Sequence, residues 1–331
     1  MSANLSAANP GHFASDVRTG DGHSGLARFA WGVLGWNILV IIWGAYVRAS
    51  KSGDGCGSHW PLCNGEVVPS GTSTISTFVE FAHRLTSGLA LFGVIVMLIW
   101  GFRAFAKGHV VRKAVFFSFV FIIIEALIGA LLVKLSLVAE NKSVARAMYL
   151  SVHLVNTFLL LGALSLSVWW ASGRPSITFS GQGFKSFLIV IGLIATIAVG
   201  VTGAIAALGD TLFPAQSLSH GFEQELSGLS HFTVRLRWLH PVVAIAASLV
   251  VATVAWRAKS LGSSTSRRLG WLVVGTVVLQ LLLGVLNVWL LAPIWMQLVH
   301  LLFADALWVL MVLLSASLLS RTKSVYQGAI A

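Results

Sequence analysis

Val79-Glu80-Phe81-Ala82-His83-Arg84 opens an apolar run that continues to Phe102, and its composition decides how the chain is read. The run has the length of a transmembrane helix, about 20 residues. A carboxylate, an imidazole and a guanidinium at the head of such a run are costly, so they are functional candidates by default. Glu80 and His83 are three residues apart and share one face of a helix. A histidine recurs near the start of three later apolar runs, as His153, His240 and His300.

Working outward, apolar runs fall at 29–48, 78–102, 114–134, 148–170, 186–207, 237–256, 270–291 and 295–318. The chain of 331 residues is 56% hydrophobic and only 10% charged, far below the ~25% charged of a soluble domain. We therefore expect an all-α membrane protein of eight transmembrane helices. The net charge of +11 is not a nucleic-acid signature, since no zinc-finger spacing or basic, aromatic-interleaved soluble segment accompanies it. It marks cytoplasmic loops instead.

Arg103, Lys107, Arg112 and Lys113, then Arg174 and Lys185, then Arg257, Lys259, Arg267 and Arg268 occupy alternate connections, and Arg321 and Lys323 follow the last run. The opposite connections mix signs, with Lys51, Asp54 and Glu66, then Glu140 and Lys142, then Asp210, Glu223, Glu225 and Arg235. The positive-inside rule places both termini in the cytoplasm and the loop holding the two cysteines on the outer face of a bacterial-type cytoplasmic membrane.

The chain also repeats. Glu125-x-x-x-Gly129 in the third run matches Gln280-x-x-x-Gly284 in the seventh, and His83 and His153 match His240 and His300. Two parallel-repeat four-helix bundles account for this. The expected organisation is a disordered cytoplasmic tail at 1–27, an N-terminal half at 28–172, a cytoplasmic linker at 173–185, a C-terminal half at 186–320 and a tail at 321–331.

Helices 2, 4, 6 and 8 begin on the outer side, and each histidine lies about five residues, or ~7–8 Å, inside. Equal depth is what a shared ligand requires. A haem iron held between two imidazoles suits the pairs His83 with His153 and His240 with His300, one per half. Four isolated, hydrogen-bonded core histidines are the plainer alternative. Zinc or copper lacks further ligands, Glu80 excepted. Arg84, Arg235 and Arg237 are placed to meet haem propionates, or else to snorkel to the interface. Pro241 follows His240 within a first helical turn, where a missing N–H costs little.

Cys56 and Cys63 are the only cysteines. On an oxidising face they can form a structural clip, or take a redox or substrate-contacting role above Glu80 and His83. His59 reads as a surface residue. Glu125, Gln280 and Asp305 are intramembrane polar groups that need partners; for Glu125 the readings are interhelical hydrogen bonding, a protonated acid, or a proton path. Asn287, Pro293 and Gln297 should shape the turn between helices 7 and 8.

Together these residues resemble the haem A synthase family. The matching pieces are Gly44-Ala-Tyr-Val-Arg48, Cys56 with Trp60-Pro61-Leu62-Cys63, Glu80-Phe81-x-His83-Arg84, His153, Asp210-Thr-Leu-Phe-Pro214, His240, and Asn287 to His300. The resemblance implies an oxidoreductase that converts the C8 methyl of haem O to a formyl, giving haem A for cytochrome oxidase. It implies haem b as cofactor at His240 and His300, haem O as substrate at His83 and His153, Glu80 as the catalytic carboxylate, and Cys56 with Cys63 as the loop pair at the catalytic site. Haem O synthase and cytochrome oxidase assembly factors are candidate partners. The electron donor is not indicated, and a homo-oligomer is open. Two departures stand out: Gly55-Cys56-Gly57-Ser58-His59 where the family more often has Ser-Cys-Pro-Asp, and Glu125 where it more often has Gln. The rival readings are a dihaem electron-transfer protein and a non-catalytic haem-binding or delivery protein.

Overall fold

The computed structural model describes residues 17–71, 73–261 and 263–320. Among these there are ten helices and no strands: α1 (Val17–Ala49), α2 (Ile75–Ala104), α3 (Val110–Lys134), α4 (Val144–Ala171), α5 (Phe184–Leu212), α6 (Leu218–Leu226), α7 (Phe232–Arg235), α8 (Leu239–Leu261), α9 (Ser264–Trp289) and α10 (Ile294–Leu319). Eight spans are long and apolar enough to cross a membrane, with α7 and α8 counting together as Phe232–Ala258. This is the build of an integral membrane protein.

Local chemistry sets the helix starts. The side chains of Thr74, His109, Ser143 and Ser263 accept from backbone N–H groups at the heads of α2, α3, α4 and α9, groups that have no partner within the helix. Pro241 sits in the first turn of α8, where its missing N–H would have been unpaired anyway. The sixth apolar run, read as 237–256, is carried by α8, and the short α7 precedes it, joined through Leu236 to Trp238. Helix α1 starts at Val17, inside the stretch read from sequence as a disordered tail. Leu26 and Ala30 are buried in the core, and a packed helix adds turns cheaply once nucleated. The rest of that tail, 1–16, and the tail from 321 lie outside the described residues.

Helix α1 packs on α2 and α4, α2 on α3, and α3 on α4; α5 packs on α8, α8 on α9, and α9 and α5 on α10. The two groups meet where α4 and α1 lie against α10 and α5. Helix α4 is therefore the most enclosed, with Phe158, Leu161 and Leu164 buried against Trp308 and Val312 of α10. The Phe158 and Trp308 rings stack at 5.0 Å with an 11° tilt, and Trp308 Nε1 donates to the Phe158 carbonyl at 2.5 Å. Outward faces remain apolar: Leu89, Phe92, Phe116, Leu249 and Val285 are exposed, as helices solvated by lipid require. The connection after α4 folds back on the end of α10, with Thr178 N–H donating to the Leu319 carbonyl at 3.1 Å.

Candidate functional site

The segment between α1 and α2 is crosslinked by a Cys56–Cys63 disulfide that is itself buried, at 0% and 2% exposure. The loop is fastened to one face of α2. Thr77 Oγ1 donates to the Gly55 carbonyl at 2.8 Å. Cys56 N–H donates to Glu80 Oε2 at 2.8 Å. Arg84 donates to Glu80 Oε1 at 2.6 Å and to the carbonyls of His59 and Leu62 at 2.7 and 2.6 Å. Residues 77, 80 and 84 follow the i, i+3, i+7 stripe of a helix. The loop also touches the helix backbone directly, since a Cβ on Gly55 would stand 2.4 Å from the Ser76 carbonyl. Glu80 is thus a buried, fully paired carboxylate that joins loop to helix. His59 is exposed, as read from sequence.

One turn below Glu80, the His83 imidazole rests on α1. A Cβ on Gly44 would lie 2.9 Å from its Cε1 and 3.1 Å from its Nε2. Two indoles fasten α1 to α2 around it: Trp43 Nε1 donates to the Val79 carbonyl and Trp36 Nε1 to the Thr86 carbonyl, both at 3.1 Å. The His83 Nδ1 is buried without a partner. His153 of α4 is close enough for the two imidazoles to interact electrostatically. Its Nδ1 is also unpartnered and lies 3.6 Å from Glu125 Oε1.

In the C-terminal helices the pattern returns. The rings of His240 and His300 face each other with centroids 6.4 Å apart and planes at 88°. A Cβ on Gly203 would come within 3.0 Å of His240 Cε1, and one on Gly284 within 3.5 Å of His300 Cε1. His240 Nδ1 is 3.2 Å from Thr202 Oγ1. That hydroxyl spends its proton on the Ala198 and Val199 carbonyls, so it accepts from Nδ1–H and leaves Nε2 as the free lone pair. All four histidines lie six to nine residues into their spans, deeper than the five read from sequence.

This geometry suits a ligand bound between two imidazoles. Metal–nitrogen bonds of about 2 Å, with ring centres set back a further ~1 Å, separate centroids by about 6 Å, the spacing His240 and His300 have. Among the described residues no group of three or more His, Cys, Asp or Glu side chains converges. Each pair can thus offer two ligands only, a donor set suited to a macrocycle that brings its own equatorial nitrogens.

The arginines are placed otherwise than as free propionate partners. Arg84 is committed to Glu80 and the loop. Arg237, 8% exposed, lies 3.0 Å from Asp210 through Nε and donates to the Gly209 and Phe213 carbonyls at 2.9 and 2.5 Å. Arg235 closes α7. Arg48 reaches from α1 into the other group of helices, donating to the Ala207 carbonyl and Thr211 Oγ1 of α5 at 2.7 and 2.8 Å and to Gln297 Oε1 of α10 at 3.1 Å. Gln297 in turn donates to the Ala292 carbonyl at 2.7 Å, so it shapes the α9–α10 turn as expected. Sequence reasoning missed Arg48 as the tie between helix groups, Thr202 as the orienter of His240, and Gly203 as a histidine seat. A glycine opposite a histidine in a run of large apolar residues was the available signal.

Residues 27–312 match the sequence profile of COX15-CtaA, described as cytochrome oxidase assembly protein. The chain is 46% identical over 299 residues to a protein of Thermus thermophilus named protoheme IX farnesyltransferase, covering 90% of this chain and 49% of that one. It is 29% identical over 286 residues to the heme A synthase of Bacillus mycoides, covering 83% and 87%. It is 39% identical over 108 residues to that of an Exiguobacterium species, covering 33% and 36%. The chain spans about half the length of the Thermus relative.

Proposed function

The chain belongs to the COX15-CtaA family of cytochrome oxidase assembly proteins, and from that premise we propose that it is a haem A synthase, oxidising the C8 methyl of haem O to a formyl. The observation that carries the reading is the opposed His240–His300 pair at 6.4 Å, which suits a resident haem b. His83 and His153 are the matching pair in the N-terminal helices and would receive haem O. When bound, haem supplies the iron redox chemistry that side chains lack. The protein's own residues seat His83, His240 and His300 on glycines and fasten the disulfide loop to the helix that carries His83, one turn before it.

Glu80 is the residue through which loop and site communicate. It takes the Cys56 N–H on one oxygen and Arg84 on the other, so the carboxylate is held one turn from His83. In that position it steadies developing positive charge at the substrate carbon or accepts a proton from it. The cysteines act in this reading by fixing the Cys56 N–H on Glu80, since their sulfurs are buried and bonded to each other.

The basic connections at the end opposite the disulfide support a cytoplasmic position for that end and an outer-face position for the disulfide loop. Two parallel repeats account for the matched helix pairings and histidines. The Thermus relative is named for farnesyl transfer, and 49% of it is matched here. We assign that reaction to the unmatched part. The haem O product of such a reaction is the substrate proposed here.

Mass analysis of extracted haems, with Glu80→Gln beside the parent, tests the proposal. Formyl or hydroxymethyl haem in the parent supports the enzyme; haem b alone indicates an electron carrier. Glu80→Gln should still bind haem O while formyl haem falls at least ~10²-fold. Normal formyl haem from well-folded Glu80→Gln protein refutes the role of the carboxylate.

A further inference from the structure

Behind His153 stands a carboxyl side chain where the C-terminal helices carry an amide. Glu125 of α3 is held by two side chains of α4: Asn156 Nδ2 donates to Oε2 at 2.5 Å and Thr157 Oγ1 to Oε1 at 2.5 Å. Asn156 also donates to the Phe121 carbonyl at 2.9 Å, which fixes the amide to the same helix. The carboxylate therefore has a defined place, and His153 Nδ1 lies 3.6 Å from Oε1. That is too long for a hydrogen bond, and Nδ1 has no other partner. A carboxylate oxygen has two lone pairs, so Oε1 can accept from Nδ1–H while keeping Thr157. Closing the gap to hydrogen-bond distance takes a ring movement of about 0.6 Å.

The corresponding groups in the other half are neutral. Glu125 and Gln280 each lie nine residues before the end of their helices, α3 and α9. Gln280 is one turn from Gly284, the seat of the His300 ring. Gln280 Oε1 and His300 Nδ1 are both buried and both unpartnered. Two similar helix pairs thus carry a glutamate and a glutamine at the same position, the first of them 3.6 Å from an imidazole.

We infer that Glu125 is a positioning residue that binds the His153 Nδ1–H when haem occupies the N-terminal site, and that the Glu125/Gln280 difference sets the two haem sites at different potentials. This rests on the reading of both histidine pairs as haem sites. A carboxylate on the far nitrogen of a ligating imidazole fixes its tautomer and raises its basicity, which favours the oxidised iron. Gln280 offers a dipole without the charge. The N-terminal haem is accordingly the harder of the two to reduce, and the C-terminal haem the easier, a gradient built from one side-chain difference.

The test is a spectroelectrochemical titration of the full-length protein carrying both haems, with each wave assigned by its loss in His153→Ala or His300→Ala. Glu125→Gln should shift the N-terminal wave upward by at least a tenfold change in the oxidised-to-reduced ratio at fixed potential, about 59 mV for one electron. Gln280→Glu should shift the C-terminal wave downward by a similar factor. A packing role would change haem content or melting but leave the potentials in place, so variants are compared at equal haem occupancy. Should Glu125→Gln not fold, Gln280→Glu decides alone. Unmoved potentials in the loaded variants overturn the inference and leave the haem reading standing. Retention of both haems in His153→Ala and His300→Ala overturns the two-site reading itself, and the inference with it.

Discussion

Gly44→Ala puts the proposed N-terminal haem site to a steric test. The new Cβ would stand 2.9 Å from His83 Cε1 and 3.1 Å from Nε2, whereas carbon atoms in contact prefer about 3.5–4.0 Å. The imidazole must retreat by roughly 0.6 Å, or α1 must move away from α2. The second route is resisted by the Trp43–Val79 and Trp36–Thr86 bonds on either side. A metal–ligand bond tolerates about 0.2 Å, so the displacement is some threefold too large for His83 to keep its place. Misplacement on this scale costs up to ~10² in function, while overpacking costs the fold only about 1–3 kcal/mol. Gly44→Ala should therefore fold, keep the C-terminal haem, and lose at least nine-tenths of the haem held by the N-terminal pair. Gly284→Ala is the control, because its Cβ would meet His300 Cε1 at an ordinary 3.5 Å and should be nearly silent. The assay is the haem-to-protein ratio from optical spectra, with extracted haems identified by mass. Full N-terminal occupancy in Gly44→Ala, or equal loss in Gly284→Ala, would refute the reasoning.

Replacing both cysteines by serine should loosen the loop by about 2–3 kcal/mol, the loop-closure value for so short a ring; the readout is faster proteolysis between α1 and α2, and an unchanged rate would count against the clip. Arg48→Gln should lower the unfolding temperature in detergent by the equivalent of about 2–3 kcal/mol for its charge-assisted bonds, and Arg48→Lys should not rescue it, because an ammonium cannot span the acceptors of a planar fork. Lys51 donates to Glu140 at 2.6 Å and holds that exposed carboxyl below the ordinary glutamate value of 4.5. The pair contributes stability above that value and loses it as pH falls through the lowered one. Glu140→Gln should therefore differ slightly from the parent at pH 7 and match it in strong acid, as checked by melting at both pH values.

The eight spans were legible because twenty-residue apolar runs with few charges have one physical outcome in a bilayer. The histidines were legible because each breaks such a run at a similar depth. Partners were less so. Arg84 and Arg237 read as partners for haem propionates or as interface anchors; in the fold both spend donors on carbonyls and carboxylates that only the folded chain brings near. Arg48 sits in a quoted motif, but its acceptors are 159 to 249 residues away, beyond any local pattern. The short α7 was not read because it lies before the apolar run that α8 carries. The glycine seats were missed because Gly44 and Gly203 look like ordinary small residues for helix packing until a ring is found against them.

The reach of Arg48 also bears on how the protein is made. Its helix leaves the ribosome before α5 and α10, to which the groups that satisfy its guanidinium belong. Until α5 is inserted, the charge has neither the Ala207 carbonyl nor Thr211, and until α10 arrives it lacks Gln297. The early helices must wait in the bilayer with an unmet cation near one surface, stabilised by headgroups and water. Synthesis of α10 then releases the earlier helices from waiting. A chain truncated before α10 would persist as an unsealed assembly, open to the membrane's quality-control proteases through the same residue that locks the finished protein.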